Sequence, residues 1–175
     1  MKKKYVIGLD GSGIDELIAA VDEYERWLKS CAEELVRRLA ERGYEISSAG
    51  FESAVYDGEQ GGVTVSVENR GELHKAVIAL GETVLFIEFG TGITYPDVHP
   101  EAAKNGMIRG SYGLGHGKQQ TWGYYGEPGT NGKVVRETNK GTLVLTHGNP
   151  ANMPMYNGAK AMREEIAALV KEIFV

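Results

Sequence analysis

Apolar residues at Ile14, Leu17, Ile18, Val21, Tyr24, Leu28, Cys31, Leu35 and Leu39 recur at steps of three and four, with charged residues filling the opposite face. That spacing describes one side of an α-helix, and it restricts the fold more than any other stretch of the chain. Ser12 stands where an N-cap belongs, Asp15 and Glu16 put negative charge in the first turn, and Gly43 supplies a C-terminal stop. The pattern predicts a helix of about 28 residues, or ~42 Å at 1.5 Å per residue. Helices in proteins draw most of their stability from packing an amphipathic face. A helix this long therefore requires a partner along its length, either the C-terminal helix or a neighbouring subunit.

The period changes after residue 44. Val63, Val65 and Val67 alternate with Thr64, Ser66 and Glu68, the signature of a half-buried strand. Phe51–Tyr56, Leu73–Leu80 and Thr83–Phe89 read as three more strands. Asp57-Gly58, Gly61-Gly62, Asn69-Arg70-Gly71 and Gly81-Glu82 supply the turns between them. Short connections imply antiparallel neighbours, because parallel strands need long crossovers, so an antiparallel meander is expected. Further on, Val134–Arg136 and Leu143–Thr146 form a hairpin around Asn139-Lys140-Gly141. A last helix opens near Asn152 and Pro154 and continues through Met155, Ala159, Met162, Ile166, Leu169, Val170 and Ile173.

Between these parts lies a stretch of another kind. Glycines crowd the segment from Gly90 to Gly132, with Tyr112, Trp122, Tyr124 and Tyr125 among them. Long irregular loops in compact domains are functional or disordered, and disordered tracts are poor in aromatics. Residues 94–138 thus read as an inserted arm that orders against a partner, with those four aromatics as its contacts. The expected architecture is one α+β domain over residues 1–175: a long N-terminal helix and a C-terminal helix packed on an antiparallel sheet, with that insertion.

Composition bounds the function classes. A length of 175 residues with 42% hydrophobic and 25% charged residues suits a globular domain, able to bury about two-thirds of its unfolded surface. The formal charge of −5 argues against duplex reading through phosphate neutralisation. It does not exclude a protein that lines a DNA channel, where gripping phosphate would be a fault. A lone Cys31 excludes an internal disulfide and reads as a small core residue. The basic start at Lys2-Lys3-Lys4 lacks the apolar run of a signal peptide, and no window reaches membrane-spanning length. A soluble protein made in the cytoplasm is expected.

Catalytic patterns fare poorly. Gly8-Leu9-Asp10-Gly11-Ser12-Gly13 leads into a helix, as anion sites do. It lacks the Lys and Ser/Thr of a phosphate loop and the βαβ unit of a dinucleotide fingerprint, so a turn and helix cap is the simpler reading. His74, His99, His116 and His147 include no pair at zincin spacing. Nothing in the sequence brings His99 and His116 together with Asp97 as a metal site. Gly11-Ser12-Gly13 is not a nucleophile elbow. Glu82 and Glu88, six apart on an expected strand, would stand about 20 Å apart, too far for either glycosidase mechanism. Glu88 reads instead as a structural carboxylate that accepts backbone N–H bonds at the corner after it. No catalytic residue, metal or cofactor is expected.

Two stretches carry a family resemblance. Phe86-Ile87-Glu88-Phe89-Gly90-Thr91-Gly92 resembles the Glu-Phe-Gly-Thr corner of the neck and tail-completion proteins of long-tailed bacteriophages. Met153-Pro154-Met155-Tyr156-Asn157-Gly158-Ala159 resembles the start of that family's last helix. The order of long helix, antiparallel sheet and terminal helix is shared, while the insertion from Pro96 to Thr138 is longer than in the simplest members. Glu88, Phe89, Gly90, Thr91, Gly92, Pro154 and Met155 would then be structural motif residues. The resemblance implies a virion protein at the head–tail junction and no catalysis. It implies a homo-oligomeric ring, sixfold, between head-completion proteins and tail-tube or terminator proteins, with DNA passing through unbound. The alternatives are a tail terminator or minor capsid component, and a metal- or carboxylate-dependent hydrolase.

Overall fold

The structure, a computed structural model, describes residues 11–56, 62–92, 98–108, 110–111, 119–129 and 132–175. Helix α1 covers Gly11–Glu52, the hairpin strands are β1 (Thr64–Gly71) and β2 (His74–Leu80), and helix α2 covers Val84–Phe89. Strands β3 (Trp122–Tyr125), β4 (Lys133–Thr138) and β5 (Gly141–Thr146) follow, and helix α3 (Pro154–Ile173) ends the order. The class is α+β, as the sequence implies.

Helix α1 has 42 residues, ~63 Å at 1.5 Å per residue. Ser12 is already helical, so it is not the N-cap. Gly43, expected to end the helix, is buried in its interior. A Cβ there would lie 2.7 Å from Met162 Sδ, and one at Gly50 would lie 2.7 Å from Pro154 Cβ. Gly158 on α3 returns the contact, with its missing Cβ aimed at Ser47 and at the Gly43 carbonyl. Each glycine costs the helix about 1 kcal/mol relative to alanine. In exchange, the two backbones approach closely enough to seal the seam.

The helices run antiparallel. Cys31 Sγ donates to the Ile173 carbonyl, Arg38 pairs with Glu172, Arg42 pairs with Glu165, and the Ser47 hydroxyl donates to the Pro154 carbonyl. Cys31 is buried, as its sequence position implies. Phe174 sets its ring edge-on to Trp27 at 6.2 Å.

Two strand expectations fail at α1 and α2. Phe51 and Glu52 complete α1 and Ser53 begins a turn, so 51–56 is no strand. Thr83–Phe89 is not a strand either, because Ile87 N–H bonds the Thr83 carbonyl and Val84–Phe89 coils into α2. A short apolar run has no period that separates helix from strand. Here tertiary burial decides: Ile87, 1% exposed, packs with Phe51 and Ala54. Val63, Val65, Ala79, Val84 and Met155 close that core around them. Full burial of a side chain such as Ile87 contributes ~2 kcal/mol.

The single meander is likewise replaced by two sheets. β1 and β2 pair antiparallel from Thr64–Leu80 to Gly71–His74, with an irregularity between Asn69 and Gly71. This hairpin lies along α1, and Glu72 at its turn pairs with Lys29 at 2.8 Å. The second sheet has the order β3-β5-β4, all antiparallel. The expected hairpin around Asn139-Lys140-Gly141 is its β4–β5 pair, bulged between Val134 and Arg136. β3 comes from inside the predicted insertion and adds to the other edge of β5.

Candidate functional site

The two motif stretches, far apart in sequence, meet around one carboxylate. Pro154 occupies the first position of α3 and has no N–H to cap. The residue before it, Met153, is left-handed (φ 58°, ψ 38°), and its side chain makes no cap. The next two N–H groups would be orphans. Glu88 reaches across from α2 and takes both: Oε2 accepts Met155 N–H at 2.8 Å and Oε1 accepts Tyr156 N–H at 2.9 Å. These are the donors that an N-cap side chain ordinarily satisfies, and a negative charge there also complements the helix dipole. Glu88 is therefore the structural carboxylate that its sequence context implies. It stands on a helix rather than a strand, and the amides it binds are those of α3.

His99 completes the set. Its Nδ1 accepts the Glu101 backbone N–H at 3.0 Å, which places the ring proton on Nε2, 3.0 Å from Glu88 Oε1. The imidazole lies between Phe89, at 4.4 Å, and Tyr156, at 5.4 Å. The side chains of His99 and Glu88 are 2% and 7% exposed. No local sequence signal foretold this partnership; Met153-Pro154, a helix start lacking a capping side chain, was the one available hint that an acid comes from elsewhere.

The glycine corner binds the same junction. Gly90 has φ 76° and ψ 179°, and Gly92 has φ 93°, regions that a Cβ disfavours. Thr91 and Asn149 hold each other twice, once through the backbone and once through a side chain: Thr91 N–H donates to the Asn149 carbonyl at 2.9 Å, while Asn149 N–H donates to the Thr91 hydroxyl Oγ1 at 2.8 Å. Gly148 brings its backbone against the Thr91 carbonyl, where a side chain would collide. Asn152 joins α1 to the junction, accepting Val55 N–H through Oδ1 at 2.9 Å and donating Nδ2 to the Val55 carbonyl at 3.0 Å. Asn152 and Met153 N–H groups bond the carbonyls of Ile87 and Glu88. Phe86–Gly92 and His147–Tyr156 thus form one hydrogen-bonded knot that ties α1, α2, β5 and α3 together.

The four aromatics assigned to the arm do not share one environment. Trp122 is half-buried, with its indole over Gly92, 3.1 Å from where a Cβ would stand. Tyr124 donates its hydroxyl to the Glu127 carbonyl at 2.7 Å, and Tyr125 is 51% exposed. Tyr112 lies outside the described residues, as do Asp97, His116 and Gly8–Asp10. His147 is exposed and its Nδ1 meets Thr121 Oγ1; His74 is exposed on the hairpin edge.

Among the described residues no three His, Cys, Asp or Glu side chains converge as metal ligands, and no helix is long and apolar enough to cross a membrane. No family model, curated protein or solved structure matches this chain.

Proposed function

We propose that the chain is a structural protein of a bacteriophage virion, a subunit of a ring at the neck between head-completion and tail-tube or terminator proteins. The ring is sixfold by the resemblance, and DNA passes through its lumen without specific contact. The observation that carries the reading is the knot itself. The two stretches on which the resemblance rests are engaged with each other, through Glu88 on Met155 and Tyr156 and through Thr91 on Asn149. The motif residues hold a scaffold together and present no reactive group. An acidic balance of 24 Asp and Glu to 19 Lys and Arg suits a wall that phosphate does not grip.

The carboxylate–imidazole pair gives no foothold to a hydrolase. Both Glu88 oxygens and both His99 nitrogens are bonded within the protein, and neither side chain reaches solvent. A tail terminator or minor capsid component of similar build is the alternative within the same class.

Electron microscopy of particles carrying a labelled subunit is the direct test, with density expected at the head–tail junction. Particles that join normally without the subunit would refute the joining role. The isolated protein should show negligible affinity for duplex DNA at physiological salt, and tight, salt-sensitive binding would refute the passive channel.

A further inference from the structure

Among the described residues, the long helix is covered over only part of its length. The end of α3 reaches Trp27 and Cys31, and the hairpin turn reaches Lys29. Beyond that level α1 continues back to Gly11 with Ile14, Ile18, Val21, Tyr24 and Leu28 at 53, 55, 52, 42 and 42% exposure. The stripe amounts to roughly 400 Å² of apolar area, in the range of the largest patch of an ordinary monomer, which is often functional. This segment is acidic, with Asp15, Glu16, Asp22, Glu23 and Glu25 against Arg26 and Lys29. At 100° per residue, Glu25 falls within the apolar stripe and Asp22 and Asp15 run along one border of it.

A surface of opposite character lies on the three-stranded sheet. Register sets Tyr125 opposite Leu143, Gly123 opposite Leu145, Lys133 opposite Leu145 and Arg136 opposite Leu143. Directly paired residues share a face, so Tyr125, Leu143, Leu145, Lys133 and Arg136 point the same way. The reverse face holds the fully buried Val144. On the Tyr125 face Gly123 leaves a furrow, flanked by the Leu143 and Leu145 methyls. Tyr125 and Leu145 are 51 and 37% exposed. Lys133, Arg136 and Lys140 at the hairpin tip are exposed and make no ion pair among the described residues, and Glu137 is taken up by the Thr142 hydroxyl.

We infer that these two surfaces dock on each other between copies of this chain: the acidic apolar ridge of α1 residues 14–28 in one copy lies across the basic apolar face of β3-β5-β4 in the next. Charge complementarity selects a second copy as the occupant, since ridge and face carry opposite signs and both stay exposed in one copy. Two unlike surfaces make a head-to-tail contact, which closes into a ring when the rotation permits. With its flanking charges the contact buries on the order of 1,000 Å², within reach of a specific interface. The assignment rests on the ring reading and supplies its subunit contact.

Charge reversal in two full-length proteins tests it. One carries Asp22→Lys and Glu25→Lys, the other Lys133→Glu and Arg136→Glu, all at exposed positions, with circular dichroism to check that each folds. Sedimentation is expected to show assembly of the parent and at least tenfold weaker assembly of either variant alone. An equimolar mixture should assemble again, because each variant's ridge then meets a face of opposite sign. Variants that assemble like the parent, or a mixture that stays dissociated, would overturn the docking while leaving the ring standing. A parent that remains monomeric at every concentration would overturn both. As a second measurement, Ile18→Cys in one protein should form a disulfide with Tyr125→Cys in another. Preferential Ile18→Cys self-linkage would mean that the ridges pair with each other, and would overturn the assignment.

Discussion

Replacing Glu88 by Gln tests the junction at its centre, because the change keeps volume and removes one acceptor and the charge. The carboxylate now serves three donors: Met155 N–H at 2.8 Å, Tyr156 N–H at 2.9 Å and His99 Nε2 at 3.0 Å. An amide has one carbonyl oxygen, so whichever way it turns, its NH2 group faces a backbone N–H. If the oxygen keeps Tyr156 and His99, Met155 N–H loses its partner; the opposite flip strands the other two. A buried unsatisfied donor costs ~1–3 kcal/mol, and the lost charge at the helix start adds ~1 kcal/mol. The expected loss is about 3 kcal/mol. Urea unfolding should show a lower midpoint at unchanged slope, and the melting temperature should fall by about 6–12 °C, at ~2–4 °C per kcal/mol for a chain of this size. Amide exchange at Met155 and Tyr156 should quicken first. A loss below ~1 kcal/mol, with exchange at those two amides unaltered, would show that Glu88 does not hold the start of α3 and refute the reasoning.

The glycines of the α1–α3 seam should respond unequally. Gly158→Ala drives its methyl into Ser47 and the Gly43 carbonyl and should cost about 1–2 kcal/mol, overpacking outweighing the gain in helix propensity. Gly43→Ala has the flexible Met162 side chain as its nearest neighbour and should fall within about 0.5 kcal/mol of the parent by the same offset; equal effects in urea titration would contradict the packing argument. Gly90→Ala, at φ 76°, should destabilise by ~1–2 kcal/mol through backbone strain, and an unchanged melting temperature would show that this corner tolerates a side chain. Arg38 holds the Glu172 carboxyl below its ordinary 4.5, chiefly by hydrogen bonding and then by charge. A carboxyl with a lowered folded-state value stabilises fully above its unfolded value and loses that contribution as pH falls through the folded one. Glu172→Gln should accordingly flatten part of the decline in melting temperature below pH 4.5. An acid limb identical to the parent's would count against the link between the helices.

Where a segment is long enough to repeat its period, residue order alone determined its structure. The three- and four-step spacing of Ile14–Leu39 and Met155–Ile173 predicts both helices, and the alternation of Val63–Val67 with a turn at Asn139-Lys140-Gly141 predicts two hairpins. Each shows in a pattern of residues a few positions apart, although the packing that stabilises the helices is long-range. The sequence marked Glu88 as an acceptor of backbone N–H groups, but at the corner after it rather than at the start of α3, where its partners lie. Tertiary structure decided the rest. Gly43 continues α1 because Met162, far along the chain, fills the space that its side chain would occupy. Thr83–Phe89 coils because Ile87 must reach Phe51 and Ala54. The amides that Glu88 binds belong to Met155 and Tyr156, and Trp122 covers Gly92 from inside the predicted arm. Short segments hold too few local contacts to choose between helix and strand. The free energy that settles them comes from burial and hydrogen bonds across long stretches of chain, which no local pattern records.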